Sequence, residues 1–84
     1  MGTYKEFKEL RQVHQDIYRL CYEKPIEIYG IMAKLHRSYT PIYHALNILR
    51  VMGFIKVIKL RNRRILYHAL EIEEQLNTKE AQNE

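Results

Sequence analysis

Tryptophan is absent from the 84 residues, cysteine occurs once, proline twice and glycine three times. Each scarcity excludes something. The single thiol, Cys21, cannot close an internal disulfide or anchor a cysteine-rich zinc site. It reads as a buried free thiol, an inter-subunit disulfide being the alternative. No apolar run approaches the roughly 20 residues that cross a bilayer. The N-terminus, MGTYKEFKEL, has no apolar signal region, so the expected location is the cytoplasm and no membrane is expected as a partner. Ser38 and Asp16 are the only serine and aspartate and stand on different segments, which gives no hydrolase triad. Nor is there a glycine-rich phosphate loop. His14, His36, His44 and His68 lie on separate segments without metal-ligand spacing. An enzyme, a metal site, a cofactor and a small-molecule effector are therefore not expected.

The most informative absence is that of acid. Between Ile28 and Leu70 there is no Asp or Glu, while Lys34, Arg37, Arg50, Lys56, Lys59, Arg61, Arg63 and Arg64 supply eight positive charges. The two ends hold ten acids against six bases, leaving a net charge of only +4 overall. Segregation on this scale implies a positive surface built by the middle of the chain, the footprint of a nucleic-acid binder. A hydrophobic content of 46% is that of a globular protein. At this length the chain is one domain with a marginal core, which self-association would help. Abundant Ile, Tyr, Lys, Arg and Glu point to a thermophile.

The acid-free middle carries two recognisable elements. In TPIYHALNILRVMG, Thr40 serves as N-cap, Pro41 occupies the first helical position, and Gly53 ends the helix, giving a span of about 41–52. Ile42, Ala45, Leu46 and Leu49 recur at helical spacing and face a core. Tyr43, His44 and Asn47 lie on the opposite face, and all three can hydrogen-bond. The following FIKVIKLRNRRILYHAL reads as a β-hairpin over 54–70, rich in β-branched and large apolar residues, with Asn62 in a tight turn.

Upstream, residues from about 4 to 22 read as one long helix. Leu10, Val13, Ile17 and Leu20 make one apolar stripe; Tyr4, Phe7, His14, Tyr18 and Cys21 make a second. The combined arc is wide for one small core, so the second stripe is expected to meet another subunit, the alternative being the C-terminal segment of the same chain. Pro25 interrupts, Ile26 enters a short extended segment, and Glu27 caps a second helix over about 28–36. Gly30 is unfavourable inside that helix by roughly 1 kcal/mol and permits close packing. After the hairpin, about 71–77 reads as a short helix whose edge is Ile72 and Leu76. Residues 1–77 form the domain, with 78–84 a polar tail.

Helix, helix, short turn, helix, basic hairpin, helix is an order with a familiar meaning. With Ile31 and Leu35, then TPIYHALNILRVMGFI, then RNRRILYHAL, the sequence resembles the winged helix-turn-helix DNA-binding family, particularly small arsenic-repressor-like and archaeal or archaeal-virus regulators. Thr40, Leu46, Leu49 and Gly53 match the family's small hydroxyl opening the recognition helix, two leucines three apart, and glycine four later. The turn between the helices, often glycine in the family, carries His36 or Arg37 here. The resemblance implies a mainly α fold with a β-hairpin, and a homodimer made by the N- and C-terminal helices. It implies a transcription regulator that binds double-stranded DNA, in the cytoplasm or, for a virus, that of its host.

On that reading Tyr43, His44 and Asn47 reach base edges, and Asn47 suits adenine N6/N7. Ser38, Tyr39 and Thr40 sit at a helix N-terminus fit for a phosphate, with Arg37 and Arg50 flanking the groove. Lys56, Lys59, Arg61, Arg63 and Arg64 of the wing meet backbone or minor groove. Tyr4, Phe7, His14, Tyr18, Cys21, Ile72 and Leu76 form the dimer interface. Two other readings compete: an interaction module whose wing grips an acidic protein, and an RNA binder using Phe54 and Tyr67, although no stacking platform is evident.

Overall fold

The computed structural model describes residues 4–72, and of Tyr4 the backbone only. Within them the chain forms α1 (Tyr4–Lys8), α2 (Gln12–Glu23), α3 (Ile28–Leu35), α4 (Tyr39–Val51), β1 (Ile55–Lys59) and β2 (Ile65–Ala69). The strands pair antiparallel with Val57 opposite Tyr67. Ile26 adds a bridge on the free edge of β2: its N–H donates to the Tyr67 carbonyl at 3.1 Å and its carbonyl accepts from the Tyr67 N–H at 2.8 Å. The extended segment expected after Pro25 is thus the stub of a third strand.

The first helix is not continuous. Arg11 takes extended backbone (φ −64°, ψ 156°) and divides α1 from α2. No proline or glycine forces this; aromatic packing does. Phe7 stands edge-on to Tyr18 at 4.9 Å and to Phe54 at 5.8 Å, and Tyr18 is edge-on to Phe54 at 6.2 Å. In an unbroken helix Phe7 and Tyr18, eleven residues apart, would be separated by roughly 16 Å along the axis. The break folds Phe7 back over the core, and edge-to-face ring pairs contribute beyond the area they bury.

That core gathers Ile17 and Cys21 of α2, Ile31 of α3, Ile42, Ala45, Leu46 and Leu49 of α4, then Phe54, Ile55, Ala69 and Ile72. The wide apolar arc is therefore covered from within the chain. Phe7, Tyr18, Cys21 and Ile72, expected at a subunit interface, are buried in the protomer itself. The Tyr18 hydroxyl donates to the Leu70 carbonyl at 2.7 Å, which ties α2 to the chain leaving the hairpin. His14 is half-buried, its Nδ1 buried without a partner among the described residues. The Tyr4 side chain and Leu76 lie outside the described residues, as does most of the expected helix over 71–77; Glu71 and Ile72 are not helical.

Two helix ends set the geometry of the middle. α3 stops at His36, which takes left-handed backbone (φ 54°, ψ 47°), and the Arg37 N–H donates to the Met32 carbonyl at 3.2 Å. A histidine thus does what glycine commonly does in such a turn, at a cost of about 1 kcal/mol in backbone strain. α4 ends in a full Schellman motif: Gly53 has φ 87°, its N–H reaches the Arg50 carbonyl at 3.1 Å, and the Phe54 N–H reaches the Leu49 carbonyl at 2.9 Å. The space beside Gly30 is filled by the Ile26 side chain, 3.0 Å from where a Cβ would stand, so the close approach is to the third-strand stub rather than to a helix.

Candidate nucleic-acid interface

The outer face of α4 is built by the spacing that buries its inner face. With Ile42, Ala45, Leu46 and Leu49 inward, Thr40, Tyr43, His44, Asn47 and Val51 must turn outward. All are exposed except Asn47, which is half-buried. α4 starts two residues earlier than expected, at Tyr39, with Ser38 rather than Thr40 in the capping position. No side chain caps the helix start. Pro41 still falls in the first turn, where a missing N–H is harmless. Ser38, Tyr39 and Thr40, expected at a phosphate, are exposed together at that start, as is Arg37, expected to flank the groove.

Asn62 lies in the tight turn of the wing tip, as expected, and Arg63 supplies its left-handed residue. The Arg63 N–H donates to the Leu60 carbonyl at 3.2 Å, Arg63 itself is left-handed (φ 66°), and the Leu60 N–H closes on the Arg64 carbonyl at 2.8 Å. This is the three-residue hairpin loop ending in a bulge. Asn62 supports it by accepting the Arg64 N–H on Oδ1 at 3.3 Å. Arg61 and Arg63 project from the tip, exposed.

Arg64 is differently placed. Its Nε donates to Glu27 Oε2 at 2.9 Å, joining the wing to the start of α3. The Arg64 hydrogen bond holds the Glu27 carboxyl below its usual range, and the carboxylate in turn raises the guanidinium. Glu27, expected as a helix cap, makes no capping hydrogen bond; it holds the wing instead. The strand pleat separates the two wing lysines: Lys59 shares a face with Val57 and Tyr67, whereas Lys56, opposite His68, points to the other face. His68 is half-buried with Nδ1 unpartnered among the described residues.

Three residues outside the expected DNA-binding set, Tyr29, Tyr67 and Glu27, join the site. Tyr29 on α3 lies 6.3 Å from Tyr39, which stacks on Tyr43 at 5.6 Å and 12°. Tyr67 of β2 faces the same group: burial raises its phenol first, and the Tyr39 and Tyr43 phenols add to it while Arg50 opposes. With Glu27, these tyrosines line a cleft of about 330 Å³ between α3, α4 and the wing, bounded by Arg63 and Arg64. The alignment crosses three elements, so no local spacing reveals it. Phe54, by contrast, is fully buried and cannot stack on a ligand. Among the described residues no three His, Cys, Asp or Glu side chains converge on a common point, and no helix is long and apolar enough to cross a membrane.

The architecture has a clear counterpart among solved structures. A glutamate-to-alanine variant of Lactococcus lactis ZitR superposes over 88% of this chain with a TM-score of 0.72 and 24% identity. A cysteine-to-serine variant of the same protein gives 89%, 0.72 and 25%. An apo form of a cysteine and histidine double variant gives 94%, 0.71 and 22%. The fold is a winged helix-turn-helix. The chain spans about half the length of the first two ZitR chains, covering 52% of each. No protein-family profile and no curated protein sequence matches it.

Proposed function

We propose that the protein binds double-stranded DNA and acts as a transcription regulator, α4 entering the major groove and the wing tip lying on the backbone or minor groove. One observation carries the reading: the winged fold exposes the outer face of α4 and the cations of an acid-free stretch on neighbouring elements. Arg37, Arg50, Arg61 and Arg63 are exposed cations without an ion pair among the described residues, and each phosphate they neutralise releases counterions. Tyr43, His44 and Asn47 are the base-reading residues, with Ser38, Tyr39 and Thr40 at phosphate. Lys59 supports the wing from the Tyr67 face; Lys56 contributes less.

As a homodimer, the protein would set two α4 helices into successive major grooves about 34 Å apart. Because Phe7, Tyr18, Cys21 and Ile72 are interior, the dimer must use other surface. Titrating duplex DNA at two salt concentrations tests the reading. Affinity should fall steeply with salt, by about 0.9 in log–log slope per phosphate contact. Salt-insensitive binding, or none, would refute it. Light scattering with and without DNA tests the dimer.

A further inference from the structure

We propose that the outer face of α4 selects adenine–thymine steps by touching thymine methyl groups, with Ile48 as the specificity-determining side chain. This rests on the duplex-DNA reading and names the base chemistry that site takes. Beyond its tyrosines, α4 exposes two large apolar side chains: Ile48, 45% exposed, and Val51, 76% exposed. Steps of three and four residues make them neighbours of His44 and Asn47 on one outer face. Ile48 stands across the helix from Arg50, which lies one turn on from Asn47, beside Tyr43 and toward Tyr67.

The four base pairs differ in what they offer. Guanine is read best by Arg or Lys on O6 and N7, adenine by the amide of Asn or Gln, and thymine by apolar contact with its methyl group. The exposed aliphatic patch of Ile48 and Val51, bordered by His44 and without Arg or Lys, suits a thymine methyl, and the Asn47 amide suits the adenine paired with it. Asn47 and Val51, four residues apart, adjoin on the outer face, and Ile48 adjoins Val51 at a step of three, so the amide and the aliphatics reach neighbouring positions in the groove. The occupant is a polyanion rather than a protein's apolar patch, because the stretch that builds this face carries eight cations and no acid. From Ile28 to Leu70 there is no acid, and the adjoining Glu27 is already paired with Arg64.

The test compares alternating dA-dT, dA-dU and dG-dC duplexes, titrated with the full chain at one fixed salt concentration. The uracil duplex lacks only the methyl group. The wild-type chain should bind the thymine duplex about three- to fivefold tighter than the uracil duplex, as burial of one methyl group implies. Ile48→Ala should bring that ratio close to one, its loss falling mainly on the thymine duplex; Val51→Ala should have a smaller effect. Both positions are exposed, and matched thermal melting of the variants confirms the fold. A ratio near one for the wild-type chain, a ratio that survives Ile48→Ala, or tighter binding to the dG-dC duplex would overturn the proposal while leaving duplex binding intact. Failure of all three duplexes to bind would overturn the duplex reading along with it.

Discussion

At the scale of single residues, burial controls the chemistry of two titrating groups in the core. Cys21 is fully buried, and desolvation pushes its thiol from 9 up to about 12. Its thiolate is therefore scarce at neutral pH, and labelling by a thiol reagent should follow unfolding rather than surface exposure. Tyr18 is pushed from 10 up to about 12, chiefly by burial, with Glu71 and Tyr22 adding to it. Well below pH 9, at pH 7 for instance, both groups are protonated whether the chain is folded or not, so they give stability no pH dependence there. Between pH 9 and 12 the unfolded chain ionises first and binds fewer protons than the native one, so stability falls as pH rises. The urea midpoint should accordingly drop between pH 8 and pH 11. Cys21→Ser combined with Tyr18→Phe should flatten that drop, because neither replacement titrates there. An equal drop in the double variant would exclude these two groups as its source. At pH 7 the same variant should be less stable by roughly 1 kcal/mol, since the Leu70 carbonyl loses its donor.

Element boundaries show how local chemistry and distant packing divide control of the fold. The end of α4 is local: Gly53 with φ 87° and two backbone hydrogen bonds completes a Schellman motif. Gly53→Ala should cost about 1 kcal/mol, the penalty of a Cβ in left-handed backbone, visible as a lower midpoint of thermal unfolding. An unchanged midpoint would mean that the turn relaxes without strain. This boundary, the inward stripe of α4 and the hairpin were legible in the sequence, because each rests on spacing within a few residues. The break at Arg11 was not, since it serves ring contacts of Phe7 with Tyr18 and Phe54, far away in the chain. Nor was the covering of the second α2 stripe. A wide apolar arc reads the same whether a second subunit or the returning Leu70–Ile72 segment lies on it. At the site, the outward face of α4 followed from its inward one. The Glu27–Arg64 pair and the Tyr29–Tyr39–Tyr43 alignment needed three elements to be assembled first.

Across the whole molecule, the wing's charge is not all available to a ligand. Arg61 and Arg63 are exposed at the tip without an ion pair among the described residues, whereas the Arg64 guanidinium is held by Glu27 at 2.9 Å. The pair is solvent-exposed, with side chains 51% and 37% accessible, so it orients the wing more than it stabilises the fold. Its consequence is a difference between neighbouring arginines in the salt dependence of DNA affinity. Removing Arg61 and Arg63 together should lower the log–log slope by about 1.8, since each phosphate contact contributes about 0.9. Arg64→Ala should lower it far less. Glu27→Gln should act in the opposite direction: the freed guanidinium becomes a further phosphate ligand and the slope steepens by about 0.9. The comparison needs no operator sequence, because phosphate contacts carry no base information and shift every duplex alike. Equal losses for Arg64→Ala and Arg63→Ala, with no change for Glu27→Gln, would show that Glu27 releases Arg64 once DNA arrives.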